Sequence, residues 1–262
     1  MPVKNGVGQS TATQDKQDGL DKLLRQHMSV VRGIFGKYGI KNGIYYYIDA
    51  HAGCGHNYEA KCEGSPIIFL QAREELGIAS KAYFIEIEKD NVCQLGHFIK
   101  PYLSDLVDFR VCPEDNKTAV PRIANALPEG CYGLIYYDPN GRPDWQAISH
   151  LSKNPALSKF DILIRYNTMA VKRNFNNTGK LLLDYLSDVH KKHWMIRDLL
   201  PGERWQWTFL LGMNYKINPW KSQRFYWTDS EEGGRILQKI ANLKADLEGK
   251  ENRSILDFGE GA

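Results

Sequence analysis

The chain has 262 residues, 42% of them hydrophobic, and a formal net charge of only +3. That length suits one large domain or two small ones, and the charge is too small to point to nucleic acid by itself. The five cysteines form no Cys-x-x-Cys pair, which reads as reduced thiols in a cytoplasmic setting, and no apolar run approaches the roughly 20 residues of a membrane span.

Residues 1–19 are polar, lack the apolar core of a signal peptide and read as a flexible segment. A single domain is expected over 20–262. In "LDKLLRQHMSVVRGIFGKYG" the apolar residues Leu20, Leu23, Leu24, Val31, Ile34, Phe35 and Tyr38 recur at helical spacing, and Gly39 is a helix stop. "GIYYYIDA" reads as the first strand. Ser65 and Pro66 sit where an N-cap and a first helical residue belong, and "IIFLQAREELG" follows as the helix. "KAYFIEIE" is a second strand, "KDNVCQLGHFIKPYL" a helix and "VDFRVC" a third strand. "TAVPRIANALPEG" is a short helix and "CYGLIYYDPNG" a fourth strand ending in a turn. "DWQAISHL" is helical, and "KFDILIRYN" is the fifth strand. "TGKLLLDYLSDVHKKHWMIRDLL" reads as one long helix. "RWQWTFLLGMNY" and "SQRFYWTD" read as strands whose link is too short for a parallel crossover, so they are expected to pair antiparallel. "RILQKIANLKADLEG" closes the chain as a helix. Strands alternating with helices, several of them nearly continuous apolar runs, indicate a parallel sheet covered on both faces.

Ligands of such sheets bind beyond the carboxyl ends of the strands. The first strand ends in Asp49, Ala50, His51, Ala52, Gly53, Cys54 and Gly55. The second ends in Glu86 and Glu88, and Glu114, Asp115 and Asn116 follow the third. The fourth ends in Asp138-Pro139-Asn140-Gly141, and the fifth in Tyr166 and Asn167. Each of these, taken singly, is also an ordinary turn or a solvated strand end; the reading rests on their joint occurrence. Small residues after the first strand let a ligand approach the backbone, and Glu86 is placed to hold a ribose diol. The third glycine of a nicotinamide fingerprint is missing and Glu86 comes too late for one, so NAD is disfavoured; no Gly-Lys-Ser/Thr of a P-loop is present. S-adenosylmethionine, which has no pyrophosphate, fits. Its expected contacts are Asp49, His51, Ala52, Gly53, Gly55, Ser65, Glu86 and Asp115. His51 reads more readily as a hydrogen-bonding loop residue than as a catalyst. His190 and His193 lack acidic or cysteine company, so no metal is expected.

"YIDAHAGCG", followed by "EGSPI", resembles the first motif of three-Cys-motif partner proteins. "AYFIEIEKDNVCQL", "GLIYYDPNGRPDWQAI" and "FDILIRYNTMAVKRN" are similar to the second, fourth and fifth strands of that group. The resemblance covers roughly residues 20–175. It implies a Rossmann-like class I methyltransferase fold, a mostly parallel seven-stranded sheet of order 3-2-1-4-5-7-6 with strand seven antiparallel near the C-terminus, and it makes a three-Cys-motif protein a candidate partner. The "YIDAHAG" stretch also resembles ribosomal RNA adenine-N6 methyltransferases. Those follow the fourth strand with Asp-Pro-Pro-Tyr, whereas Gly141 here has no side chain to stack on a base.

The function expected is S-adenosylmethionine-dependent methyl transfer to a nucleic acid, DNA or RNA. Asp138 and Pro139 would hold the target group, and Tyr166 or Trp145 would serve as the stacking platform. Lys172, Arg173, Lys191, Lys192, Lys221 and Arg224 would neutralise phosphates. The alternative is a non-catalytic, cofactor-binding partner subunit in a multi-protein system.

Overall fold

The computed structural model describes residues 12–58, 60–139, 141–168, 179–198 and 207–242, and the statements below concern these. In chain order the elements are α1 (Ala12–Lys37), β1 (Tyr45–Asp49), a small hairpin of β2 (His56–Asn57) and β3 (Cys62–Glu63), α2 (Ser65–Leu76), β4 (Ser80–Ile85), α3 (Lys89–Ile99), β5 (Val107–Cys112), α4 (Asn116–Asn125) and β6 (Tyr132–Tyr137). They continue with α5 (Trp145–Ser152), β7 (Phe160–Asn167), α6 (Leu182–Asp188), β8 (His193–Arg197), β9 (Trp207–Met213), β10 (Phe225–Trp227) and α7 (Glu231–Asn242).

Ten strands divide into the hairpin and an eight-stranded sheet of order β10-β8-β9-β7-β6-β1-β4-β5. β5, β4, β1, β6 and β7 run parallel. β9 lies antiparallel between β7 and β8. This is the α/β, Rossmann-like methyltransferase architecture, with β10 added as an eighth, antiparallel edge strand on β8. Period-2 alternation divides the core. Tyr45 and Tyr47 face α1, α2 and α3, and Tyr46 and Ile48 face the helices α4 to α7. The Tyr47 ring stacks on Phe69 of α2 at 4.2 Å between centroids, which seats that helix over β1.

Three expectations change. The helix expected from Leu20 starts at Ala12, because residues inside the segment read as flexible are buried or paired: Gln17 is 8% exposed, and Lys16 reaches a carboxylate at the sheet's end. The long helix expected over 178–200 stops at Asp188. The next residue, Val189, is extended, and Trp194, Met195 and Ile196 are three successive buried residues. A surface helix with one apolar stripe cannot bury three in a row, whereas a central strand can. β9 and β10, expected to pair with each other, instead flank that unforeseen strand β8, each antiparallel to it.

Candidate functional site

The carboxyl ends of β1, β4, β5 and β6 meet around the loop after β1. Ala50 donates its amide to Tyr136 O and Ala52 donates to Ile85 O, both at 2.9 Å, so the loop starts pinned to β6 and β4. Gly53 is left-handed at φ 63°, and a Cβ there would meet nothing within 4 Å. The backbone is thus open to a ligand at that point. Gly64 serves the opposite need: a Cβ on it would lie 2.9 Å from the carbonyl carbon of Gly55, whose oxygen accepts the Gly64 amide at 2.8 Å. The loop closes on itself at Gly55 and Gly64 and stays open at Gly53.

Gly64, not Ser65, is the N-cap of α2, and its carbonyl accepts the amides of Ile67 and Ile68. Ser65 lies inside the first turn with Pro66 behind it. The helix has no side-chain cap bond, and the Ser65 hydroxyl favours the charged form of the nearby Asp49 carboxyl. The cap expected at Ser65 falls one position earlier, at Gly64, whose backbone is extended at φ −81° and ψ 166°.

Asp49 is fully buried. It accepts the His51 amide at 3.1 Å and the Tyr47 hydroxyl at 3.3 Å. Burial pushes its pKa up to about 7, and the nearby charge of Asp138 adds to this against the hydrogen bonds from Ser65 and His51. Asp138, just past the end of β6, is the reverse. Burial also raises it, but Lys16 Nζ at 2.9 Å and Arg165 Nη1 at 3.3 Å, with the His51 ring beyond, bring it down to about 2. The Tyr136 hydroxyl donates to Asp138 at 3.2 Å. His51 joins the two acids. The Asp138 amide donates to its Nδ1 at 3.3 Å, and the Asn116 side-chain amide lies 2.8 Å from Nε2. Burial lowers the His51 pKa, so the ring is neutral near pH 7. It acts as the hydrogen-bonding residue expected of it.

Glu86 follows β4 directly, half-buried, and its Oε1 accepts the Glu88 amide at 2.8 Å, which holds the carboxylate at the strand end. Asp115 caps α4 by accepting the Lys117 amide at 2.8 Å. Beside these lies a cavity of about 490 Å³ lined by His51, Asn116, Tyr137, Pro139, Arg142 and Asp144, among others. Ile87, 59% exposed between two acids, presents apolar surface at the same end of the sheet.

Several expected residues fall elsewhere. Tyr166 is 1% exposed and packs against Trp145, itself 6% exposed and stacked on Tyr185. Even positions of β7 face α5 and α6, so neither ring can serve as an open platform. Lys191 is buried, and its ammonium donates to Leu157 O and Phe160 O. With Lys192 it precedes β8, at the end of the sheet away from Asp138, so the basic residues do not form one face. Lys221 is exposed and Arg224 pairs with Asp198 at 2.7 Å. Asn140, Lys172 and Arg173 lie outside the described residues. Of the cysteines, Cys62 and Cys112 are buried but Cys93 is exposed. Among the described residues no helix is long and apolar enough to cross a membrane, and no three His, Cys, Asp or Glu side chains are placed to share a metal ion.

Sequence reasoning missed Lys16, Arg165 and Ile87. Arg165 carried a signal, a charge inside the otherwise apolar strand "FDILIRYN". Ile87 carried one too, in Glu-Ile-Glu directly after a strand. Lys16 carried none, in a polar stretch with no visible partner.

No family model matches the sequence, and no curated protein is significantly similar to it. Solved structures are similar in fold. The protein LPL1258 of Legionella pneumophila superposes with a TM-score of 0.50 at 15% identity, over 84% of this chain and 91% of that one. An rRNA methylase of Streptococcus thermophilus gives 0.42 at 10% identity, over 82% and 100%. SMU.1697c of Streptococcus mutans, solved in complex with SAH, gives 0.39 at 10% identity, over 64% and 89%. At these identities the likeness is one of fold.

Proposed function

We propose that the chain is an S-adenosylmethionine-dependent methyltransferase acting on a nucleic acid. The observation that carries this reading is Asp138, held ionised at the end of β6 beside a glycine loop open at Gly53 and an acid at the end of β4. The residues fit the cofactor in three respects: Glu86 suits a ribose diol, Gly53 allows close approach, and the cavity beside Asn116 and Pro139 has room for a purine. The resemblance to three-Cys-motif partner proteins and to ribosomal RNA adenine-N6 methyltransferases agrees with it.

When bound, the sulfonium supplies an already activated methyl group. The protein's part is then alignment. Asp138, with a pKa of about 2, is too weak a base to take a proton at neutral pH; its role is to accept a hydrogen bond from the target amine and orient the lone pair. His51 sets the backbone of that turn through the Asp138 amide. The buried Tyr136 hydroxyl fixes one carboxylate oxygen.

One observation favours a second reading, a non-catalytic partner subunit for a three-Cys-motif protein. Asp138 is already engaged by two cations, and the turn has no stacking ring. Calorimetry with S-adenosylhomocysteine and transfer of a labelled methyl to pooled DNA and RNA separate the two. Binding with transfer is expected; binding without transfer favours the partner subunit, and absence of binding removes both. Glu86→Ala should weaken binding about tenfold or more, since a hydrogen bond to a charged group contributes roughly 1.5–3 kcal/mol.

A further inference from the structure

α1 has two halves. From Leu20 to Phe35 it packs Leu20, Leu23, Leu24, Met28 and Val31 against the sheet, and His27 bonds the buried Asp161 at 2.8 Å. Before Leu20 its contacts with the sheet are polar. Lys16 takes Asp138, and Gly19 lies so close to Arg197 that a Cβ on it would come within 2.5 Å of Nη1.

Beneath this polar half lie two arginines. Arg165 on β7 pairs with Phe209 on β9, and the β8–β9 register, which pairs Ile196 with Leu210, brings Arg197 opposite the same Phe209. Directly opposed residues share a face, so both arginines project from the α1 face, two strands and about 10 Å apart at the backbone. The Arg197 guanidinium lies over Trp207 and Phe209, 5.3 and 6.0 Å from their ring centroids. Its acidic neighbour Asp198 is occupied by Arg224. Arg165 Nε and Arg197 Nη1 are buried without a hydrogen-bond partner among the described residues, and so is Gln17 Oε1. Lys16 and Arg165 thus share one close carboxylate, Asp138, while Arg197 has no ion pair among the described residues and feels the charge of Asp15 on α1 and of Arg224. Buried donors of this strength are rarely left unmade in a finished structure, and a guanidinium matches a phosphate geometrically.

We infer that Arg165 and Arg197 form a seat for a phosphodiester of the nucleic-acid substrate, and that the first turns of α1 are the lid over it, latched by Lys16 on Asp138. The inference rests on the nucleic-acid reading above for the identity of the anion. A phosphate entering the seat satisfies the two open N–H groups and attracts Lys16. The lid then lifts from Asp138 and frees that carboxylate for the target amine. The lid is the part of α1 least committed to the apolar core, so its opening leaves the anchored half in place.

The test needs no methyl transfer, so it can fail or succeed separately from the proposed reaction. Binding of a single-stranded oligonucleotide, with inorganic phosphate as a second arm, is followed by tryptophan fluorescence, and amide exchange is followed over residues 14–20 and 23–35. The oligonucleotide should bind and speed exchange over 14–20 while leaving 23–35 unchanged. Arg197→Met should weaken binding at least tenfold. Asp138→Asn should tighten it several-fold, because it removes both the latch and a repelling charge. Lys192→Met, at the far end of the sheet, should leave it unchanged. Absence of binding by both the wild type and Asp138→Asn would overturn the inference. So would equal affinity for wild type and a folded Arg197→Met, or exchange over 14–20 unaffected by bound oligonucleotide. Binding of inorganic phosphate alone, with no oligonucleotide bound, would also overturn it, since the seat would then serve a free anion.

Discussion

Asp49 and Asp138 stand at the ends of neighbouring strands, β1 and β6, paired in register with Asp49 opposite Tyr136. Both are aspartates, Asp49 buried and Asp138 half-buried, and each receives a tyrosine hydroxyl. One has its pKa pushed up to about 7 and the other is brought down to about 2. The difference lies in what arrives from elsewhere. Asp49 has only neutral donors from its own loop and from Ser65. Asp138 has Lys16, 122 positions earlier, and Arg165, 27 positions later. Burial raises the pKa of both carboxylates, and two long-range cations decide which remains ionised.

The largest expected effect comes from removing the better-paired acid. Asp138→Ala strands Lys16 and Arg165 in a mostly buried site, where losing one partner of a buried ion pair costs about 3–5 kcal/mol. Urea denaturation at pH 7 should show a loss near the lower end of that range, because the side chains keep some exposure of 13–23%. A loss under about 1 kcal/mol would mean that the pairs are solvated, and the contrast with Asp49 would be one of accessibility alone.

Asp49→Asn tests the other side. A carboxyl with a folded pKa near 7 and an ordinary unfolded value holds a proton in the folded chain that the unfolded chain has lost. Stability therefore falls as pH rises from about 4 to about 7, by under about 3 kcal/mol between pH 5 and pH 8. The asparagine variant should lack that fall. Urea midpoints for both proteins at pH 5 and pH 8 measure it, and a wild type equally stable at both values would place Asp49 among ordinary ionised acids.

How much of this was legible in the sequence follows the same division between local and distant partners. Five parallel strands were readable, because each is a short apolar run bounded by turn residues. The acids at their ends were readable because the ends of a parallel sheet converge. β8 was hidden: "HWMIR" continues the apolar spacing of the preceding helix, and only its burial on both faces shows it to be a strand. Tyr166 looked available because it ends a strand, but which face it occupies depends on a register the sequence does not display. Lys16 was invisible for a similar reason: a lone lysine in a polar stretch acquires meaning only when α1 crosses the sheet.

Lys16→Met narrows the contrast from the Asp138 side. A carboxyl with a depressed folded pKa contributes stability that is present above its unfolded value near 4 and lost as pH falls through about 2. The wild type should show about 2 kcal/mol of such acid sensitivity. The variant should be less stable at pH 7 by up to that amount and converge with the wild type near pH 2. A deficit that is constant across pH would mean that Lys16 acts through packing of its methylenes rather than through Asp138.

Ser65→Ala carries the smallest expected effect and separates two roles for one hydroxyl. As a helix cap, Ser65 would contribute about 1 kcal/mol at every pH, since a backbone amide does not titrate in this range. As a donor to Asp49, its contribution depends on whether that carboxyl is charged. Hydrogen bonds to charged groups are stronger than those between neutral groups, roughly 1.5–3 against 0.5–1.5 kcal/mol. Gly64 is the cap and Ser65 favours the charged form of Asp49, so the variant should be mildly destabilised near pH 5, where Asp49 is protonated. The deficit should grow above pH 7, where the wild type ionises. Removing a bond that favours the carboxylate also shifts the Asp49 titration upward, so the pH-dependent loss of stability should extend to higher pH. Urea midpoints at pH 5, 7 and 8.5 decide it. A deficit independent of pH would restore Ser65 as a cap and leave Asp49 held by Tyr47 and the His51 amide alone.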